Sequence, residues 1–146
     1  MNAHDCVFCR IIKRQAPAYI IDETEHVVAF LSLENHPLVV PKAHIPDIYA
    51  MPSDIGAHVM AETIKIAKAV KRGLNCDGVY INQCNEPAAG QDVFHYHTHI
   101  RPCWEGEEIK AITRFFRSMT HPEDVTEAMK ATMLKRIQAG LGISTQ

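Results

Sequence analysis

The chain has 146 residues, a formal net charge of −2, 47% hydrophobic and 22% charged residues, a balance that predicts one compact domain burying roughly two-thirds of its unfolded surface without needing a staple. Its apolar runs are too short to cross a bilayer, the start Met1-Asn2-Ala3-His4-Asp5 lacks the form of a signal peptide, and no excess of Lys and Arg is clustered for nucleic-acid backbones. These features predict a cytoplasmic protein with neither membrane nor nucleic acid as partner, in which nine histidines and an odd count of five cysteines read as ligands or thiols before disulfides.

Taken in chain order, Cys6 to Lys13 carries apolar residues at helical spacing and stops before Pro17, predicting a short helix with Cys6 and Cys9 in its first turn. Tyr19 to Asp22, His26 to Ser32 and Leu38 to Val40 are β-branched or aromatic segments divided by turn-prone residues, as in an antiparallel meander. A long helix is predicted from Ser53 as N-cap to about Arg72. Its stripe would be Ile55, Val59, Ile64, Ala67, Val70 and Leu74, with Gly73 and Asn75 as the stop and Lys65, Lys68, Lys71 and Arg72 as a solvated face. Val79 to Asn82 and Val93 to Ile100 are the last two predicted strands, joined by the loop Gln83 to Gln91. A tail helix follows, with Thr120 as N-cap and Val125, Met129 and Ile137 buried, ending near Gly140.

The informative stretch is Phe94-His95-Tyr96-His97-Thr98-His99-Ile100. Alternation on extended backbone puts the three imidazoles on one face, with Phe94, Tyr96 and Ile100 turned the other way into a core. Such a row is costly unless used, and two chemistries compete for it: ligation of a catalytic metal, and nucleophilic attack on phosphorus by an imidazole nitrogen. The small residues of Ala88-Ala89-Gly90-Gln91 at the entrance suit close approach of backbone N–H groups to a phosphate. They favour the second. Separately, Cys6-Val7-Phe8-Cys9 has the spacing for two thiolates on one metal, with a redox pair or simple packed thiols as the other readings.

His95-Tyr96-His97-Thr98-His99-Ile100 resembles the signature of the histidine triad (HIT) family of nucleotide hydrolases and transferases. The likeness extends in order through Cys6-Val7-Phe8-Cys9, Val28-Ala29-Phe30-Leu31, Leu38-Val39-Val40-Pro41-Lys42-Ala43-His44 and Ala89-Gly90-Gln91, so a core of about residues 6–102 resembles the family and 103–146 forms a C-terminal extension. The resemblance implies an α+β fold with an antiparallel sheet of about five strands and one long helix, and a homodimer. It implies His97 as nucleophile toward the α-phosphate of a purine nucleotide such as an AMP derivative. His99 would contact the phosphate or protonate the leaving group, and Asn85, Gly90, Gln91 and Val93 would bind phosphate oxygens. It further implies structural zinc on Cys6, Cys9, His44 and His95.

The chain departs from the family pattern in places. Ser32 stands where a ribose-binding aspartate is common, Glu34 is either its substitute or a solvated turn residue, and the usual Pro-Arg after the triad reads Arg101-Pro102. Trp104 either packs in the core or lines the pocket. The reading is a zinc-containing nucleotide hydrolase or nucleotidyl transferase acting on esters, anhydrides or phosphoramidates. The alternatives are a metal-dependent hydrolase with three histidine ligands, and a nucleotide-binding scaffold or sensor.

Overall fold

The computed structural model describes residues 5–106 and 122–142, so His4, Thr120 and His121 lie outside the described residues. The elements are α1 (Val7–Ile12), β1 (Ile20–Glu23), β2 (Val27–Leu31), β3 (Pro37–Pro41), α2 (Ser53–Leu74), β4 (Gly78–Gln83), β5 (Thr98–Cys103) and α3 (Glu127–Leu141), with 3-10 turns at Pro87–Ala89 and Pro122–Asp124. The five strands form one antiparallel sheet in the order β1-β2-β3-β5-β4. The fold is α+β, as predicted.

Period-2 alternation explains the layers. In β2 every residue is buried, because both faces of the sheet are covered. Val27, Ala29 and Leu31 join Val39 of β3 and Ile100 of β5 against Val59, Ile66, Ala69, Val70 and Leu74 of α2 and Ile137 of α3. Val28, Phe30, Leu38 and Val40 point the other way and pack on Cys6, Phe8, Cys9 and Ile11 at the N-terminal helix. The large core therefore lies on one side, and a thin layer of α1 lies on the other. That second face is the one that carries chemistry.

Several boundaries differ from the prediction. Regular β5 pairing begins at Thr98 rather than Val93, because β3 pairs with it only at Val39↔Thr98 and Leu38↔His99, leaving His95 at the end of a bend over residues 93–95 and His97 in the irregular lead-in to the strand. Ser53 is the first helical residue of α2, after an extended Pro52. Gly73 does not stop that helix, which ends at Asn75 in the left-handed conformation (φ 51°). Ile64 is 49% exposed, and Glu62, Thr63 and Ile66 are buried on α2 instead. On the tail, Thr126 is the N-cap, its hydroxyl accepting the Met129 N–H. Met129 is exposed there while Ile137 is buried. The basic face of α2 is used internally: Lys65 pairs with Asp22, Lys71 donates to the carbonyls of Cys76 and Asp77, and Arg72 to that of Gly140.

Gly73 lies inside α2 because α3 crosses there. A Cβ on Gly73 would run into the carbonyl of Arg136, and one on Gly140 into that of Ala69. Reciprocal bonds lock the crossing: Arg72 Nη2 donates to Gly140 O (2.7 Å) and Arg136 Nη2 to Leu74 O (2.9 Å). A helical Gly→Ala change ordinarily gains about 1 kcal/mol, but overpacking a closed contact costs about 1–3 kcal/mol. Gly73→Ala and Gly140→Ala are therefore expected to lower the urea midpoint. An increase in either would show that the two helices do not meet at this contact.

Candidate functional site

Cys6 sits at the N-cap of α1 and Cys9 in its first turn, so helical geometry turns both sulfurs toward the sheet. His44 follows β3, and His95 enters from the β5 lead-in. The four ligand atoms lie within 4.8 Å of one another. His95 Nδ1 is 3.4 Å from Cys6 Sγ and 3.5 Å from Cys9 Sγ, and His44 Nδ1 is 3.3 Å from Cys9 Sγ. Those spacings match the edge of a tetrahedron whose centre lies about 2.3 Å from sulfur and about 2.0–2.1 Å from nitrogen. Tautomer chemistry agrees. His95 Nε2 donates its hydrogen to Pro41 O (2.8 Å), which leaves an unprotonated Nδ1 facing the sulfurs, the outer-shell arrangement of a ligating histidine. Burial and the neighbouring Cys6 push the Cys9 thiol up to about 11, and burial brings His95 down to about 4. A buried thiol pair of this kind becomes thiolate only with a cation beside it. The donor set fits a closed Cys₂His₂ zinc site.

The histidine row thus divides. His95 turns to the cysteines, while His97 and His99 stay together, ring centroids 5.0 Å apart. Among the described residues, the group of possible metal ligands contains His95 but neither His97 nor His99, so the arrangement with all three histidines on one ion is not formed. Tyr96 and Ile100 point into the α2 core, as alternation requires, whereas Phe94, inside the bend at residues 93–95, is half-buried and belongs to neither core cluster.

His97 is 4% exposed. Its Nδ1–H is donated to the carbonyl of His95 (2.7 Å), so its lone pair is on Nε2. The edge of the Phe8 ring packs on the imidazole, centroids 5.2 Å apart. Burial lowers the pKa of His97 against the opposing pull of the His95 carbonyl and Asp92. His99 is brought down to about 3 by burial, then by His97 and Arg101. His36, missed as a central residue, completes the cluster: its Nε2 is 2.8 Å from His99 Nδ1, and burial holds it well below the usual histidine range. At neutral pH these rings are uncharged.

The preceding loop is stapled by its amides. Asn85 Oδ1 accepts the Ile48 N–H (2.8 Å) and its Nδ2 donates to Gln83 Oε1 (2.7 Å). Gln91 is buried; its Oε1 accepts the Glu86 N–H and its Nε2 donates to the carbonyls of Pro46 and Val93. These side chains shape the loop from within. Gly90 takes φ 90°, a conformation open to glycine, and its N–H returns to Pro87 O. The Val93 N–H donates to its neighbour Asp92 Oδ1 (2.8 Å), and that oxygen lies 3.8 Å from His97 Nε2. An anionic oxygen is thus held between a backbone donor and the imidazole. Glu34 is neither free in solvent nor alone: its carboxylate accepts from Arg101 (2.9 Å). Trp104 packs against the α2 core.

Arg101 continues the alternation of His97 and His99 and was legible by spacing, whereas His36 reaches the site only through the pairing of β3 with β5.

Comparisons agree with this geometry. A family model described as "HIT domain" matches residues 13–104. The chain is 33% identical over 140 residues to "Protein hit" of Bacillus subtilis, covering 92% of this chain and 96% of that protein. It is 32% identical over 101 residues to the adenosine 5'-monophosphoramidase HNT1 of Saccharomyces cerevisiae, covering 66% of this chain and 61% of that one. It superposes with a TM-score of 0.79 and 29% identity on a zinc-bound histidine triad family protein from Mycobacterium smegmatis, over 97% of this chain and 96% of that chain.

The depressed histidines set a pH dependence. An unfolded histidine takes its proton near pH 6.5, whereas folded His99 and His95 wait until about 3 and about 4. The unfolded state therefore binds more protons between those limits, so this contribution to stability is whole above about pH 7 and declines as pH falls. The urea midpoint is expected to drop from pH 7.5 to 5.5, less so in His99→Asn. Equal declines in both proteins would show that His99 is not held neutral by the fold.

Proposed function

The chain belongs to the HIT domain family, and from that premise we propose that it is a nucleotide hydrolase or nucleotidyl transferase working through a covalent nucleotidyl-His97 intermediate. The substrate is an ester, anhydride or phosphoramidate of a purine nucleoside monophosphate, an AMP derivative first. The observation that carries the reading is the His97 tautomer: Nδ1–H is tied to the His95 carbonyl at 2.7 Å, and burial keeps the ring neutral, so the Nε2 lone pair is free to attack. In the first step Nε2 forms a bond to phosphorus, the bond to the leaving group breaks and that group takes its proton from solvent, while neutral His99 contacts the phosphoryl group through its N–H. In the second, water attacks phosphorus, the N–P bond breaks and His97 is regenerated. The place where Asp92 Oδ1 sits, between the Val93 N–H and His97 Nε2, suits a phosphate oxygen once the carboxylate swings out. With their side-chain amides engaged inside the fold, Gln91 and Asn85 contribute by holding the loop, and Gly90 and Val93 contribute backbone.

Zinc belongs to the same reading. Cys6, Cys9, His44 and His95 would hold it, and its contribution is structural: it fixes α1 against the β5 lead-in. A homodimer is included too, with exposed Ile81 on the edge strand β4 and exposed Met60 and Ile64 on α2 as apolar surface available to it.

Two measurements test these statements. Acid-quenched single turnovers with an adenosine phosphoramidate are expected to trap a nucleotidyl-protein adduct. His97→Ala should lose the adduct and at least about 10³-fold in kcat, and turnover at the wild-type rate in that variant would refute the mechanism. Elemental analysis of protein purified without chelator is expected to give about one zinc per chain, lost in Cys6→Ser. Metal-free wild-type protein would reduce the pair to packing residues.

A further inference from the structure

The side chains around His36 Nδ1 decide which way a hydrogen-bond chain runs. Ser32 Oγ lies 3.1 Å from that nitrogen and Arg101 Nη1 lies 3.3 Å from it. A guanidinium has no acceptor and keeps its protons at any ordinary pH. Nη1 carries two hydrogens: one goes to Glu34 Oε2 (2.9 Å), and the other is directed at His36. Ser32 Oγ already accepts the backbone N–H of His36 (3.2 Å), which leaves its own hydrogen to donate. Ser32 Oγ, with a second lone pair, suits either direction, whereas Arg101 can only donate, so the guanidinium decides that His36 Nδ1 offers a lone pair and Ser32 follows by turning its hydrogen to it.

The consequence passes along the chain. With Nδ1 unprotonated, the one hydrogen of neutral His36 is on Nε2, where it is donated to His99 Nδ1 at 2.8 Å. His99 Nδ1 then accepts, so the hydrogen of His99 is on Nε2. That nitrogen has no partner among the described residues, and its ring lies beside that of His97. We propose that Arg101 and Ser32, with Glu34 holding Arg101, are positioning residues that fix this polarity and make His99 present an N–H to the reacting phosphoryl group. The proposal rests on the hydrolase reading for its use, though not for its geometry.

The opposite polarity has two candidate supports, both from Glu34: its main-chain carbonyl, which draws His36 toward protonation against the larger effects of burial and Arg101, and its carboxylate. The Glu34 carboxylate lies 3.8 Å from His36 Nδ1, and a proton there would face it. That distance is beyond a hydrogen bond, and the same proton would confront the Arg101 N–H. Reversal would also leave His99 Nε2 with a lone pair toward phosphate oxygens, where repulsion replaces attraction. Burial and the Arg101 charge keep His36 neutral, so one nitrogen of the ring is always free to accept.

Imidazole ¹⁵N spectra of the folded protein test this without substrate. The expected wild-type pattern is Nε2–H for both His36 and His99. Nδ1–H on either ring overturns the proposal. In Ser32→Ala/Arg101→Met the bias is removed, and both rings are expected to shift toward Nδ1–H; unchanged tautomers overturn it as well. With an adenosine phosphoramidate, the double variant is expected to lose roughly 10- to 100-fold in kcat with KM changed less than about threefold. Arg101→Gln, which keeps an N–H donor, should recover most of the rate lost in Arg101→Met, and equal losses in the two single variants would count against the assignment. Absence of turnover or of a His97 adduct in wild-type protein would defeat the hydrolase reading instead, and the tautomers would still decide the polarity.

Discussion

The bond from His97 Nδ1–H to the carbonyl of His95, 2.7 Å long, is the contact on which the rest of the site depends. It is local, two residues along a backbone that leaves a bend at His95, so it needs that backbone held in place. His95 is held from both ends of its ring: Nε2–H reaches Pro41 O at the end of β3, and Nδ1 faces the two sulfurs. The side chain of His95 is therefore an anchor for its own carbonyl. A structural metal placed there would act on chemistry one residue pair away without touching substrate, by keeping that carbonyl aimed.

Low dielectric does the second part of the work. His36, His95 and His97 are almost fully buried, in a layer only as thick as α1. Burial disfavours the charged imidazole, and the mutual proximity of the rings adds to it. A cluster of histidines in water would be partly cationic near neutrality, and its nucleophile partly protonated. Here Phe8 packs against His95 and His97, ring centroids 5.9 and 5.2 Å away, so the residue between the two cysteines shields the imidazoles as well as filling the hydrophobic core. Neutral rings also keep their tautomers, and tautomers give each nitrogen a fixed role.

Much of this was legible in the sequence, and the limits are physical. Alternation alone placed His97 and His99 on one face and Tyr96 and Ile100 on the other, and it holds from Tyr96 onward, past the bend at residues 93–95, while Phe94 inside the bend joins neither core cluster. Helical spacing put Cys6 beside Cys9. The partners of these groups were less accessible. The amides of Asn85 and Gln91 offer both donors and acceptors, and only tertiary structure shows that they bind Ile48, Pro46 and Glu86. His36 is 63 residues from His99 and joins it because β3 lies next to β5. On α2, an apolar count favoured Ile64, yet the helix turns Glu62 and Thr63 inward, where Glu62 sits near Asp22 and Lys65. A polar residue accommodated by a partner in β1 is invisible to a hydrophobic stripe.

The two departures from the family pattern meet on one nitrogen. Ser32 stands where an aspartate is common, and Arg101 brings a cation one strand position away from its usual place. Read separately each looks like a loss. Together they surround His36 Nδ1 with donors, and they are compatible with each other in a way that either family residue would not be: an aspartate at position 32 would accept from a protonated Nδ1 and reverse the chain that Arg101 imposes. Glu34, drawn into a pair with Arg101, holds the guanidinium beside His36.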